Sequence, residues 1–570
     1  MRTFPADSWQ RAWCEQYPCD VPTEVPYPQM PLSVLLDFAA KRFPEHIACT
    51  LYGKEMTYAD LNDRARRLAR SLQERGARPG RPIGLLLPNI PEYMIALQAI
   101  WLTGATALQL SPLMVADELT HWVEATGCHM VIALDLLTPN LKPALEKGPL
   151  EEIVVTSLVE RLALWKGVLY RLERYRRGGS LRLREDDQHS WFESLLESEP
   201  IEKAVEVDPA EDLAVLAPTG GTTASPKAVM QTHKNLLANA MQLRHWCGGN
   251  DGEEGILGVL PLFHSYGLAV SILSAWAKGS SVHLYPRFET KAVLKVILQQ
   301  KPELVPAVPA MINALNGLLR KKPRDLSFVR QMISGAATLD PAVRKEHESF
   351  GIQELIEGYG LTEACPVTHV NLPGVLNRPG TIGMPIIDTE AKIVDSATGT
   401  ETLPDDAVGE LIVKGPQVMK GYFNNPLATE ETIRDGWLFT GDIAKRDSDG
   451  FYTIVDRKKD IIKTSGFLVF PAEVEEVLLT CPGVAEAAVV GQSDLEKGEV
   501  VKALIVAADP AKIDVSAVDK YCHEHLGKHK RPKIIEVVEE LPKNFLGKVL
   551  RRRLRETDVP VTQGEESAAS

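Results

Sequence analysis

The sequence predicts an α/β protein: a large N-terminal body of layered α/β subdomains plus a β-rich unit, then a small mobile α/β C-terminal domain. Three observations predict it. Apolar runs of strand length alternate with amphipathic helical stretches along most of the chain, the pattern of layered sheets with mostly parallel strands. After Gly383 the texture changes to short strands separated by Gly and Asp turns. From about Asp460 a compact alternation of helix and strand resumes. The expected divisions are 1–456 for the body, with the β-rich unit at about 384–456, then 457–556 for the small domain and a disordered tail at 557–570.

The elements follow in order. PIGLLLP (82–88) reads as a strand, EYMIALQAIWLTG as a helix, ATALQLSP as a strand, ADELTHWVEATG as a polar-faced helix and HMVIALD as a strand. SSVHLYP, a helix from Lys291 and then ELVPAVP repeat the pattern. AKIVD, GELIVKG and FYTIVD are the short strands of the β-rich unit. In the last module PAEVEEVLLTCPG and VSAVDKYCHEHLG read as helices, AEAAVVG and VVKALIVA as strands. Residues 93–116 lack charge for long enough to span a membrane, but Gln98, Gly104 and Gln109 interrupt them. A buried helix followed by a core strand is predicted there. The stretch 260–277, broken by Pro261 and His264, reads the same way.

Composition narrows the function. The chain has 570 residues, 44% apolar and 24% charged, the ordinary globular mix. With 63 basic and 76 acidic side chains the net charge is −13. A nucleic-acid partner is therefore not expected, because neutralising phosphates needs a basic face. Eight scattered cysteines without a Cys-x-x-Cys pair suggest reduced thiols in the cytoplasm. One segment is out of character: residues 158–184 hold eight basic and two acidic residues, with Leu162, Trp165, Leu169 and Leu172 at helical spacing. Such a helix either packs on its own domain or lies on the anionic inner face of a membrane as a peripheral contact.

Four blocks carry chemistry. APTGGTTASPKAVMQTHKNL (217–236) follows an apolar strand with a Gly/Thr cluster, then Pro226 and Lys227. Small residues let backbone N–H groups approach an oxyanion, and hydroxyls and a lysine add donors. This is a phosphate-holding loop, though not the Gly-x-x-x-x-Gly-Lys-Ser/Thr kind. EGYGLTEA (357–364), preceded by ISGAATL (333–339), offers the Tyr359 ring to a base, the Thr362 hydroxyl, and the Glu363 carboxylate to a hard divalent cation. In the stretch 434–467, Asp442 follows a Gly turn and can accept two ribose hydroxyls, and Arg457, Lys458 and Lys459 mark the junction with the last module. In LPKNFLGKVLRRRL (541–554), Lys548 follows a turn.

In this order and spacing the four blocks resemble the adenylate-forming superfamily of acyl-CoA ligases, luciferases and nonribosomal-peptide adenylation domains. The likeness runs from about Met30 to Arg555. DGWLFTGD…DGFYTIVDRKKDIIK, LIEGYGLTEACPVTHVN and the basic insert are most similar to bacterial long-chain fatty-acid–CoA ligases. The resemblance implies a two-step reaction: a carboxylate and MgATP give acyl-adenylate and pyrophosphate, and the acyl group then passes to the coenzyme A thiol. It implies that Thr219, Gly220, Gly221, Thr222, Thr223 and Lys227 hold the β- and γ-phosphates, and that Thr222 and Glu363 serve Mg2+. Tyr359 would lie along adenine, with the backbone of Gly335, Ala336 and Ala337 on its other face. Glu357, Gly358, Gly360, Leu361 and Thr362 complete that nucleotide block. Asp442 and Arg457 would bind ribose. Lys548 would bridge the carboxylate and the α-phosphate, with His264 near the reacting carbonyl. Lys459 matches the family's hinge position, and Gly466 and Phe467 would turn toward CoA.

The family loop usually reads Thr-Thr-Gly-x-Pro-Lys-Gly, whereas Ala224 and Ala228 stand at its glycines here. An alanine forced to φ > 0 costs about 1 kcal/mol. Medium-chain or aryl acids, a carrier protein as acceptor, and a catalytically weak acyl-nucleotide sensor are the alternatives. A homodimer is a family-level expectation.

Overall fold

The computed structural model describes residues 14–19, 21–162, 164–177, 185–219, 226–464, 467–494, 497–509, 513–543 and 549–556. The chain divides into two compact units, one of Met1–Ala391 with Val413–Phe439, the other of Lys392–Ile412 with Thr440–Ser570.

The first unit contains two large sheets. In one, the central strands Ile47–Leu51, Ser281–Leu284, Gly255–Gly258, Leu304–Ala307, Gln331–Ser334 and Leu355–Gly360 are all parallel neighbours. Antiparallel strands Lys54–Thr57 and Val367–Val370 flank them. In the other, His189–Trp191, Glu152–Thr156, Met130–Leu134, Pro82–Leu86, Thr106–Gln109 and Leu213–Thr219 run parallel in that spatial order. The hairpin to Lys227–Thr232 then turns the sheet antiparallel, and Gly421–Tyr422 is added at its edge. The parallel cores are apolar on both faces, which is why these strands read as continuous hydrophobic runs.

The charge-free stretch 93–116 belongs to this core. Every residue of the helix Pro91–Leu102 is buried, and the strand Thr106–Gln109 follows it. Pro91 opens the helix, where its missing N–H costs nothing. Burying side chains such as Trp101, Tyr93 and Leu97 contributes about 1.5–3 kcal/mol each. Polar ends are satisfied: Trp101 Nε1 donates to the Ala214 carbonyl at 2.9 Å and the Tyr93 hydroxyl to the Leu262 carbonyl at 2.9 Å. The Asn89 amide donates to the carbonyls of Gly258 (3.1 Å) and Leu260 (2.8 Å), joining the ends of strands from the two sheets. Among the described residues no helix is long and apolar enough to cross a membrane. The eight cysteines are free thiols and all but Cys19 are buried. Burial pushes the Cys49 and Cys128 thiols up to about 12.

In the second unit the long hairpin Val484–Asp494/Gly498–Ala507 is extended by Ile534–Val538, parallel, and by Ile462–Thr464 with Phe467–Val469. Alternation along the two long strands sends side chains to opposite faces. Val489, Val501, Ala503 and Ile505 pack with Val474, Leu478, Val518 and Cys522 of the helices Pro471–Thr480 and Val515–His525. Ala488, Val490 and Leu504 pack with Leu541 and Leu554 on the other face.

The sequence reading separates body from small domain between 456 and 457, whereas the compact units part at 391/392, 412/413 and 439/440, within strands of the β-rich region. Residues 440–457 group with the C-terminal module for a physical reason. Asp456 accepts the Ala472 N–H at 2.8 Å, at the start of the helix Pro471–Thr480. Arg551 lies between Asp456 (4.0 Å), Asp460 (3.6 Å) and Glu475 (2.7 Å).

Candidate active site

The strands on either side of the Gly/Thr-rich segment pair antiparallel, with Thr219 opposite Lys227 and Pro218 opposite Ala228. The Thr219 hydroxyl closes the hairpin neck by donating to the Lys227 carbonyl at 3.1 Å. Gly220, Gly221, Thr222 and Thr223 lie outside the described residues, as does Ala224. Ala228 is a buried residue of the regular strand Lys227–Thr232 and is not among the residues at positive φ. It therefore carries none of the strain that glycine would relieve.

Lys227 lies next to a residue that motif reasoning missed. Its ammonium is 4.7 Å from the centre of the Tyr422 ring, and the Tyr422 hydroxyl donates to Glu363 Oε1 at 2.9 Å. A cation on a ring face is held by the ring quadrupole, and a hydroxyl on a carboxylate fixes its rotamer. Pairing of Gly421–Tyr422 with Val229 and Met230 brings the ring there. The Met419 N–H donates to the Glu363 carbonyl at 2.8 Å, so the same segment also fixes the Glu363 backbone. Burial, then the nearby Glu363 charge, raises the Tyr422 phenol and keeps it a neutral donor. The only sequence signal was a Gly-Tyr pair about 190 residues beyond its partner strand.

The nucleotide block is held by both sheets. Gly358, Tyr359 and Gly360 end the strand Leu355–Gly360 and pair antiparallel with Val367–Val370. The Tyr359 ring is half-buried, edge-on to His369 with centroids 5.9 Å apart. Leu361 precedes the short helical turn Thr362–Ala364 and its N–H donates to the Pro366 carbonyl at 3.0 Å. Gln231, from the hairpin, donates to the Thr362 carbonyl at 2.8 Å. Gly360 has no room for a side chain: a Cβ there would lie 2.1 Å from the Pro366 carbonyl oxygen. Glu357 is different. Its buried carboxylate accepts from Arg344 (3.2 Å) and from the Gly380 N–H (3.0 Å), and its carbonyl accepts from Asn371 at 2.8 Å. Glu357 thus anchors the strand.

Gly335, Ala336 and Ala337 follow the neighbouring strand Gln331–Ser334. A Cβ on Gly335 would meet the Tyr266 ring at 3.0 Å, and Tyr266 is fixed by its hydroxyl bond to the Ile333 carbonyl at 3.0 Å. Ala336 sits at φ 71°, a left-handed conformation unusual for alanine. Strained backbone of this kind is concentrated at functional sites. His264 caps the buried helical stretch that begins at Ser265, its Nδ1 accepting the Tyr266 N–H at 3.2 Å. Burial lowers its pKa to about 4, so it is neutral at physiological pH.

In the second unit Asp442 and Arg457 are cross-strand partners, with Arg457 Nε 3.2 Å from Asp442 Oδ1. This pair has the donors and acceptors for a diol. Lys458 is tied to the buried Glu410 at 2.7 Å, while Lys459 is exposed. Phe467 is exposed and tilted against His529, centroids 4.9 Å apart. Gly466 and Lys548 lie outside the described residues.

Residues 36–423 match the family model for AMP-binding enzymes, and residues 473–548 match the model for the C-terminal domain of AMP-binding enzymes. The chain belongs to the AMP-binding enzyme family. Within it, the chain is 38% identical to a long-chain-fatty-acid–CoA ligase of Bacillus subtilis (strain 168) over 552 residues, 96% of this chain and 98% of that one. A ligase of the same name from Salmonella typhimurium is 36% identical, with 96% and 98% covered. Among solved structures, an anthranilate CoA ligase in complex with anthranoyl-AMP superposes with a TM-score of 0.81 at 26% identity, covering 94% of this chain and 98% of that chain. The mixed α/β architecture expected from the sequence is the one this AMP-binding enzyme has.

Proposed function

We propose that this AMP-binding enzyme is an AMP-forming fatty-acid–CoA ligase acting on long-chain acids. The observation that carries the reading is its near-full-length identity with long-chain-fatty-acid–CoA ligases. The Lys227–Tyr422–Glu363 arrangement supports it.

In the first step a carboxylate oxygen bonds to the α-phosphorus of ATP as the bond to the bridging oxygen breaks and pyrophosphate leaves. Both reactants are anionic, so the barrier is largely charge repulsion. Lys227 offsets charge on the leaving phosphates, and Lys548 offsets it between carboxylate and α-phosphate. Tyr359 and the 335–337 backbone hold adenine, and Asp442 and Arg457 hold ribose. In the second step the CoA sulfur bonds to the acyl carbonyl carbon, the carbon–oxygen bond to phosphate breaks so that AMP leaves, and the thiol proton passes to water. No general base is needed for the first step, because the nucleophile is already ionised.

Glu363 and Thr222 supply hard oxygens of the kind Mg2+ accepts. Few protein ligands suit an ion that also binds phosphates and water; among the described residues no cluster of three or more acidic, histidine or cysteine ligands exists. Bound there with ATP, Mg2+ would supply further neutralisation of the phosphates. Lys459 is the hinge in this reading, with Gly466 and Phe467 on the CoA side. The partners are fatty acid, ATP and CoA. The place of action is the cytoplasm, at the inner membrane face, where ATP and CoA meet membrane-borne acid.

The test is AMP and acyl-CoA production from MgATP and CoA across saturated acids of increasing length plus anthranilate. Turnover that peaks at long chains is expected. A peak at anthranilate would favour the aryl-acid reading, which the fold likeness to an anthranilate CoA ligase supports. Lys548→Ala should abolish adenylate formation and spare thioester formation from supplied acyl-adenylate. Equal loss of both steps would remove its single-step role.

A further inference from the structure

We propose that the helix Leu164–Arg176 is a docking surface for an anionic lipid bilayer, through an outward crest of Trp165, Val168, Leu169, Leu172 and Tyr175. These five side chains are 49–64% exposed. An isolated exposed leucine is ordinary, but five large apolar groups on one helix face are not. At about 100° per residue they share a single face, and Arg174 lies about 180° round from Trp165.

The opposite face fixes this rotation. Arg174 is buried, and its guanidinium donates to Asp135 Oδ2 at 2.6 Å. The Tyr170 hydroxyl donates to the other oxygen of the same carboxylate, and the Ser157 hydroxyl donates to Oδ2 at 2.7 Å. Asp135 is fully buried, so loss of the Arg174 pair would leave an uncompensated charge in the interior. Polar side chains thus hold the helix down and the apolar ones are turned outward, the reverse of a helix packed by its hydrophobic stripe.

Charge selects the occupant. Arg171 and Arg176 are exposed beside the crest, while the helix's one acidic residue, Glu173, is paired with Arg177 at 2.9 Å. This basic, aromatic-bearing helix stands in a chain of net charge −13. The combination fits phosphate headgroups around inserted apolar side chains. A second copy docked crest to crest would bring the same arginines together with no acidic residue left to meet them. The inference deepens the fatty-acid ligase reading, whose substrate resides in bilayers, but its geometry is independent of that reading.

The experiment uses the full chain, without substrate, sedimented with vesicles of phosphatidylcholine alone or mixed equally with phosphatidylglycerol. Partitioning onto the anionic vesicles is expected to be about tenfold stronger and to weaken as salt rises. Leu169→Glu/Leu172→Glu and, separately, Arg171→Glu/Arg176→Glu should each abolish that preference while the melting temperature is kept. Equal binding by the native chain and both variants would overturn the proposal. So would a concentration-dependent dimer, seen by sedimentation equilibrium without lipid and lost in the same variants. Turnover of a short, water-soluble fatty acid without vesicles, measured in parallel, reports on the ligase reading alone, so the two can fail separately.

Discussion

The Tyr422 hydroxyl donates to the Glu363 carboxylate at 2.9 Å, across 59 positions of the matched AMP-binding region. The same ring carries the Lys227 ammonium on its face. One aromatic side chain thus sets the spacing between a cation and an anion that the proposed first step needs together. Removing the hydroxyl leaves the ring in place and lets the carboxylate rotate. A hydrogen bond to a charged group is worth about 1.5–3 kcal/mol. Tyr422→Phe should therefore lower the rate of acid-dependent ATP–pyrophosphate exchange about tenfold or more, with little change in thermal stability. Exchange at the native rate would show that Tyr422 does not position Glu363.

Ala336 offers a test of strain. At φ 71° its Cβ crowds its own backbone, which costs about 1 kcal/mol or more. Ala336→Gly should leave stability unchanged or raise it by up to about 1 kcal/mol, since relief of strain opposes the added unfolded-state entropy. Ala336→Val should lose more than about 1 kcal/mol, because a branched Cβ is worse in that region. Chemical denaturation of the three proteins compares them. A valine variant as stable as the native chain would mean the loop does not hold this conformation.

These two residues show what the sequence made legible. The strand before the Gly/Thr cluster, the buried helix Pro91–Leu102 and the insert helix were readable because each is local: an apolar run, a charge-free stretch, a 3.6-residue repeat. Tyr422 was not, since its role depends on an edge strand pairing with Val229 and Met230 far back in the chain. The insert helix was legible as a helix but not in its rotation. That is set by Asp135, which lies upstream of the basic segment and is buried at the end of a strand. The carboxylate of Glu357, a residue of the nucleotide block, is paired with Arg344 at 3.2 Å, and nothing in EGYG foretells that pairing.

Arg551 is the electrostatic centre of the second unit. It neutralises Glu475 at 2.7 Å and lies near Asp456 and Asp460. Burial raises the pKa of Glu475 and of Asp456, with Arg551 opposing the shift. Arg551→Met should destabilise this unit by about 3 kcal/mol or more, because several buried carboxylates lose one shared partner. Glu475→Gln added to it should recover part of that loss. Limited proteolysis followed by mass spectrometry would report the opening of 440–556. Unchanged protection in Arg551→Met would assign the cluster to surface decoration.

Five histidines with depressed pKa values set an acid limit. Burial lowers His233, His264, His283 and His347 to about 4 and His369 to about 3. The unfolded chain takes up these protons near pH 6.5. Between about pH 6.5 and 4 the unfolded state therefore binds more protons than the folded one, and stability falls as pH falls. Each histidine contributes up to about 1.4 kcal/mol per pH unit in that window. The melting temperature should drop steeply from pH 6.5 to 5 and change little from these groups between pH 7 and 8. Equal melting temperatures at pH 5 and 7 would mean the imidazoles are accessible to protons in the folded chain.

Gly360 ties fold to site most directly. It ends the strand that carries Tyr359 and precedes the turn that carries Glu363, and Leu361 N–H returns to the Pro366 carbonyl at 3.0 Å. A Cβ at Gly360 would meet that carbonyl oxygen at 2.1 Å and its carbon at 2.7 Å. Both atoms belong to backbone, so no side chain can swing away to make room. Gly360→Ala must therefore part the Leu361–Pro366 turn, shifting Tyr359 and Glu363 relative to one another. Near-attack geometry tolerates little displacement, and about 1 Å can cost a hundredfold in rate. The expected result is a rise in KM for ATP together with a fall in kcat. Gly358→Ala, whose Cβ would meet only ordinary contacts at 3.6–3.7 Å, should change both far less. If the two variants behaved alike, close approach at Gly360 would not be what aligns the nucleotide block.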